Sequence, residues 1–178
     1  RARGVEKRGL TERLEAAGIS EAGISEAGTS ESVFFGDEMR LGLIGQVRRR
    51  WAPRGVKIRQ PVEFTYKWTY LNLAVNPMEG TLRWDWTSDM KAESIAPVLE
   101  SWEDSLEAVV WDGARGHQGD EYDEVEACRI QQPPYSPELQ PAERIFQYLR
   151  ARIEGIVYGE LEAKKEAVED ELRKLAAC

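Results

Sequence analysis

QQPPYSPELQPAERIFQYLRARI, residues 131–153, is a proline-stiffened loop that opens into an amphipathic helix. Each proline fixes φ and removes a backbone donor, which holds off regular structure while the prolines last. Ser136 with Pro137 reads as a helix start, and Ile145, Phe146, Leu149 and Ile153 then recur on one apolar face. That places Glu143 near the first turns of the helix. Two further acids occupy comparable settings upstream, Asp37 in SVFFGDEMRLGL and Asp112 in EAVVWDGARGH.

The intervening chain supplies a sheet. SVFFGDE reads as a short buried strand and LGLIGQV as a second, with the acids at their junction. VEFTYKWTYLNLAV, residues 62–75, is aromatic and β-branched enough for a strand. NPMEG is a turn, and TLRWDW alternates with period two. Ser88 or Asp89 caps a helix running to about Trp102, with Ile95, Val98, Leu99 and Trp102 on one face. EAVVWDG is a buried strand ending in an acid; a polar helix or loop and a brief ACRI strand follow. Residues 160–177, rich in Ala, Glu, Lys and Leu, form a last helix. The order βββαβ(α)βαα predicts an α/β fold, a mixed sheet with helices packed on it.

Residues 1–32 read differently. A charged, helix-permissive segment is followed by GISEA, GISEA and GTSES at 18–32, a period of five that fits neither helix nor strand. We expect a flexible linker there and one folded domain over 33–178. The chain begins at Arg1, which reads as a fragment or a processed product. No apolar run reaches the roughly 18 residues of a membrane span, and no basic-then-apolar leader opens the chain, so the reading is cytoplasmic. Cys128 and Cys178 have no CxxC or histidine partners and read as reduced thiols.

The net charge of −8 argues against a plain nucleic-acid-binding module. Its distribution is uneven. Residues 31–75 carry eight basic and four acidic groups, whereas residues 76–130 carry four basic and fourteen acidic ones. A polyanion is attracted to the first region and repelled by the second.

Each of the three acids has an ordinary reading when taken alone. Asp112 before glycine suits a capping turn, Asp37 and Glu38 suit a polar hairpin tip, and Glu143 suits the helix dipole. Their surroundings add more. FFGDEMRLGL, RRRWAPRGVK, VVWDGARGHQ and PPYSPELQPAERIFQYLR follow one another within residues 33 to about 153. Together they resemble the catalytic domain of a mariner-superfamily DDE transposase of the bacterial insertion-sequence type.

The resemblance implies an RNase H-like fold whose Asp, Asp, Glu triad binds two Mg²⁺ ions, with Mn²⁺ as a substitute. Carried over residue by residue, the triad is Asp37, Asp112 and Glu143, separated by 75 and 31 residues. Two hard cations sharing oxygen ligands suit carboxylates. Glu38 points to the opposite face if its strand continues, and so stays outside the triad. The implied activity is DNA strand cleavage and strand transfer at transposon ends. The implied partners are terminal inverted repeats, target DNA and a second copy of the chain.

His117 lies five residues after Asp112 and reads either as a contact to the scissile phosphate or as a surface-loop histidine. Arg48, Arg49, Arg50, Trp51, Arg54 and Lys57 form a basic loop that suits the DNA backbone or plain solvent. Most of the tryptophans read as core. Residues 1–32 cannot hold the helix-turn-helix domains that complete members carry, and Gln140 stands where asparagine is commoner. The alternative is a catalytically silent, truncated remnant acting as an interaction or dimerisation module. A resolvase or ribonuclease of the same fold would not need SPELQPAERIFQYLR.

Overall fold

The computed structural model describes residues 33–45, 51–102, 104 and 106–177. The 1–32 linker and Arg48, Arg49 and Arg50 therefore lie outside the described residues. Five strands form one sheet: β1 (Val33–Gly42), β2 (Trp68–Asn76), β3 (Thr81–Thr87), β4 (Ala108–Trp111) and β5 (Cys128–Gln131). Their spatial order is β3-β2-β1-β4-β5. The β1–β2 and β2–β3 pairs are antiparallel, and β1–β4 and β4–β5 are parallel. Three helices flank the sheet: α1 (Ala92–Glu100), α2 (Ala142–Ile153) and α3 (Leu161–Ala176). The mixed sheet with packed helices is as expected.

Alternation along the strands builds two cores. On one face Phe34, Ala74, Val109 and Trp111 pack against Ile95, Val98 and Leu99 of α1. On the other, Met39, Leu41, Leu71 and Leu73 meet Phe146, Leu149 and Ile153 of α2, with Val168 and Leu172 of α3. The last helix is thus a packing helix, tied further to the sheet by Trp86 Nε1, which donates to Glu169 Oε1 at 2.9 Å. Gly36 lets β4 approach β1, because a Cβ there would sit 3.1 Å from Val109 Cγ2.

Several boundaries differ from expectation. The two short strands around Asp37 are one ten-residue strand. Backbone pairing to β2 runs unbroken from Phe35 to Gly42, so Asp37 and Glu38 lie mid-strand and not at a hairpin tip. The aromatic segment from Val62 becomes strand only at Trp68. Before that point Phe64 and Tyr66 are exposed, so their β-preference finds no face to pack on. The expected helix start at Ser136 is a single 3₁₀ turn over Pro137–Leu139, and α2 begins at Ala142, after Pro141. Asp89 does organise the start of α1, taking Lys91 N at 3.0 Å and Ser94 Oγ at 2.8 Å. Of the six tryptophans, Trp102 and Trp111 are buried and Trp84 and Trp86 half-buried, while Trp51 and Trp68 are exposed.

Phe146 joins α2 to the sheet with 1% of its surface exposed. Phe146→Ala is expected to lower the unfolding free energy by about 3–5 kcal/mol, measured by urea titration.

A carboxylate cleft braced by a buried histidine

Three separate elements deliver the acids to one place. Mid-strand position puts Asp37 on the α2 face of the sheet, in step with Met39 and Leu41. Asp112 is the first residue after β4, and Glu143 stands in the first turn of α2. All three line a cleft of about 550 Å³, together with Gln131, Tyr135 and Gln140. Gln140 sets the relation between helix and strand. It is buried and donates from Nε2 to the Gly36 carbonyl at 2.7 Å, while its Oε1 accepts from Ala142 N at 3.4 Å.

The proline loop forms one wall. Tyr135 holds a left-handed backbone, φ 60°, with its ring 97% exposed, a conformation unfavourable for a residue with a Cβ. The surrounding loop holds it there, since Gln132 Nε2 donates to the Ser136 carbonyl and Ser136 Oγ donates to that of Pro134.

On the opposite face of β1, Glu38 points toward α1 and meets His117. Their side chains are 4% and 2% exposed, with His117 Nε2 3.0 Å from both carboxylate oxygens. The other ring nitrogen, Nδ1, lies 2.9 Å from Asp112 Oδ1 and 3.2 Å from the Asp112 carbonyl. The imidazole also stacks on Trp111, with centroids 4.2 Å apart and planes 2° from parallel. Burial alone would depress the His117 imidazole, but Glu38 and Asp112 outweigh it and raise its pKa. The ring thus bridges two carboxylates, which favour its charged form against burial.

A compact loop makes this possible. Tyr122 lies edge-on to Trp111 and donates its hydroxyl to the Gly116 carbonyl at 2.5 Å. A Cβ at Gly116 would collide with the Met90 carbonyl.

The expectation for His117 is thus corrected. It is not a surface-loop histidine: the ring is buried, with Nε2 on the buried Glu38 and Nδ1 on the exposed Asp112. Both side-chain contacts to Asp112, from His117 and from Ala114 N at 2.9 Å, fall on Oδ1. Trp51, Arg54 and Lys57 are exposed on the excursion between β1 and β2, and none of them lines the acid cleft. Sequence reasoning placed Glu38 on the other face but assigned it no partner. The available signal was the alternation of β1 together with the chain's only histidine just past Asp112.

Asp37 is pushed up to about 7, first by burial and then by the charges of Glu38, Glu143 and Asp112, against a hydrogen bond from Glu38 N. Among the described residues, no group of three or more His, Cys, Asp or Glu side chains stands close enough to hold a metal ion. The donor set nevertheless fits hard divalent cations. It consists of carboxylates facing one open cleft, and their mutual repulsion at Asp37 is what an added positive charge relieves.

A mixed sheet of this order, flanked by helices, defines an RNase H-like fold. The family model described as DDE superfamily endonuclease matches residues 32–162, and the chain belongs to that family. Among solved structures, the fold is similar to the Mos1 transposase paired-end complex with left transposon end. That match has a TM-score of 0.66 and 13% identity over 93% of this chain and 55% of that one. It is also similar to the Mos1 paired-end complex with Mg (0.63, 15% identity, 96% and 55% covered). The catalytic core domain of BIV integrase aligns at a TM-score of 0.50 with 14% identity, covering 78% and 79%. No curated protein matches the sequence. The chain spans about half the length of the Mos1 chains, covering 55%.

Two outcomes follow from the buried charges. Glu38→Ala leaves the buried His117 ring short of one partner and is expected to cost about 3–5 kcal/mol in a urea titration; a loss below about 1 kcal/mol would show that Glu38 does not hold His117. The second concerns Asp37, which binds its proton more tightly in the folded chain than at its ordinary value of 3.8. Its contribution to the stability of the metal-free protein is full below that value and is lost as pH rises through about 7. Asp37→Asn should therefore leave the melting temperature unchanged at low pH. In chelator at alkaline pH it should raise it by roughly 4–8 °C, taking about 2 kcal/mol of the effect as realised.

Proposed function

We propose that the chain cleaves DNA strands at transposon ends and transfers them to target DNA, acting in the cytoplasm as a homodimer. Asp37, Asp112 and Glu143 are its catalytic carboxylates. What carries this reading is the convergence of the three acids on one cleft of the DDE fold, each from a different element. The similar Mos1 structures are a paired-end complex with a transposon end, a strand transfer complex, and paired-end complexes with Mn and with Mg, and they support the substrate class and the metals.

The three acids would hold two divalent cations, Mg²⁺ with Mn²⁺ as substitute. Such cations, when bound, acidify an attacking water and stabilise a leaving oxyanion. The chain's own residues prepare the place. Glu38 and Trp111 fix the His117 ring, and His117 fixes Asp112 through Oδ1, which leaves Oδ2 for a cation. Gln140 fixes the start of α2, and with it Glu143, against the strand bearing Asp37. This investment in positioning supports an enzyme over a silent remnant.

Asp112→Asn is expected to abolish magnesium-dependent nicking of DNA and to leave the circular dichroism spectrum unchanged, because a neutral amide does not replace a charged ligand. Cleavage at the parent rate by this variant would sink the assignment.

A further inference from the structure

A second cleft, of about 370 Å³, lies at the opposite end of α2 from Glu143. Among the described residues, Arg40, Lys67, Arg150 and Lys164 line it together with one acid, Glu154, in a chain whose net charge is −8. That concentration of positive charge is out of keeping with the composition. Lys164 is the least expected member. It is 8% exposed, near the Tyr158 ring, and gives one N–H to the Gly42 carbonyl at 2.5 Å. Burial lowers its pKa, while Glu154 and Glu63 act to raise it. An ammonium has three donors, and the bond to Gly42 uses one of them.

Above it Lys67 is exposed at the head of β2, and Arg40 lies over the Trp68 ring at 4.5 Å. Arg150 links the two clefts. It lines the basic one, and its Nη1 reaches to 3.9 Å from Glu143 Oε2.

Seven residues of helix separate Glu143 from Arg150, about 10 Å of rise. We propose that the basic cleft binds a backbone phosphodiester of the DNA held at the carboxylates. The recognised chemistry is a phosphate oxygen meeting fixed ammonium and guanidinium donors. This inference rests on the proposed reading of the acid cleft as a DNA-cleaving site and adds a substrate-positioning site to it. The separation lets one cleft carry the negative charge that cations need while the other carries the positive charge that DNA needs.

The test is fluorescence anisotropy of the full chain with a short labelled duplex in Ca²⁺, across a salt series. Lys67→Glu changes an exposed side chain, and Lys164→Met keeps the buried volume; melting curves check that both fold. Each variant is expected to weaken binding and to reduce the slope of log affinity against log salt by about 0.9. A parental slope in the well-folded Lys67→Glu variant overturns the inference, as does a parent that binds no duplex. Calorimetry with inorganic phosphate separates the other source of the same chemistry. Phosphate binding lost in Lys67→Glu, with the DNA slope unchanged, assigns the cleft to a free anion and also overturns it. Magnesium-dependent nicking abolished by Asp112→Asn identifies failure of this cleft alone. Nicking indifferent to Asp112→Asn identifies failure of the catalytic reading instead.

Discussion

β1 carries two acids in succession, and the geometry of a strand sends them to opposite faces. Asp37 goes to the α2 side, into the cleft; Glu38 goes to the α1 side, into the protein. The arrangement of the site depends on that division. Glu38 is the fixed negative end of a line that runs through the His117 ring to Asp112, tying β1 to the loop after β4 across the sheet. Parallel pairing of β1 with β4 is short, from Val33 to Phe35 on β1. Past that point backbone bonds no longer hold the strands together, and the buried charge pair takes over. A shift of β1 by one residue would turn Asp37 away from the cleft and Glu38 away from the histidine.

This division also explains why charge is distributed as it is. The cleft gathers three carboxylates that must be tolerable side by side. Burial and neighbouring acids raise Asp37 to about 7, which favours its neutral form. Asp112 instead meets the His117 ring through Oδ1. Glu143, on the helix surface, faces Arg150 across 3.9 Å and feels the favourable end of the helix dipole. Three acids in one cleft thus have three separate ways of bearing their charge.

Much of this was legible in the sequence, and the remainder was hidden for identifiable reasons. Periodicity located the element order and the apolar face of α2, because Phe146, Leu149 and Ile153 repeat with the helix and are all buried. The acids were recognisable from the elements that end or begin beside them and from the resemblance of the four blocks. Gly36 and Gly42 made β1 look like two strands. Glycine weakens a strand pattern, and only the pairing with β2 shows that the chain continues. The role of His117 was hidden for another reason. A lone histidine in a polar loop carries no periodic signal, and its burial comes from Trp111 beneath it and Tyr122 beside it, residues whose proximity is tertiary. Gln140 was visible as a departure from the commoner asparagine. Its contact with Gly36, 104 residues away in sequence, was not.

Buried charge is an expensive way to hold a loop, since a hydrophobic substitute of equal volume often serves stability as well or better. The Glu38–His117 pair therefore makes most sense as a means of setting direction. An apolar contact fixes distance loosely and orientation hardly at all, whereas an imidazole holds its two nitrogens on opposite sides of a rigid ring. With Glu38 on one nitrogen and Trp111 against the plane, the second nitrogen has a single direction left, and Asp112 Oδ1 lies along it. The carboxylate that follows β4 is thereby oriented from inside the protein, before any cation or DNA reaches the cleft. Orientation of this kind matters where a reaction depends on ligand geometry, because error in the first ligand passes directly to whatever it holds.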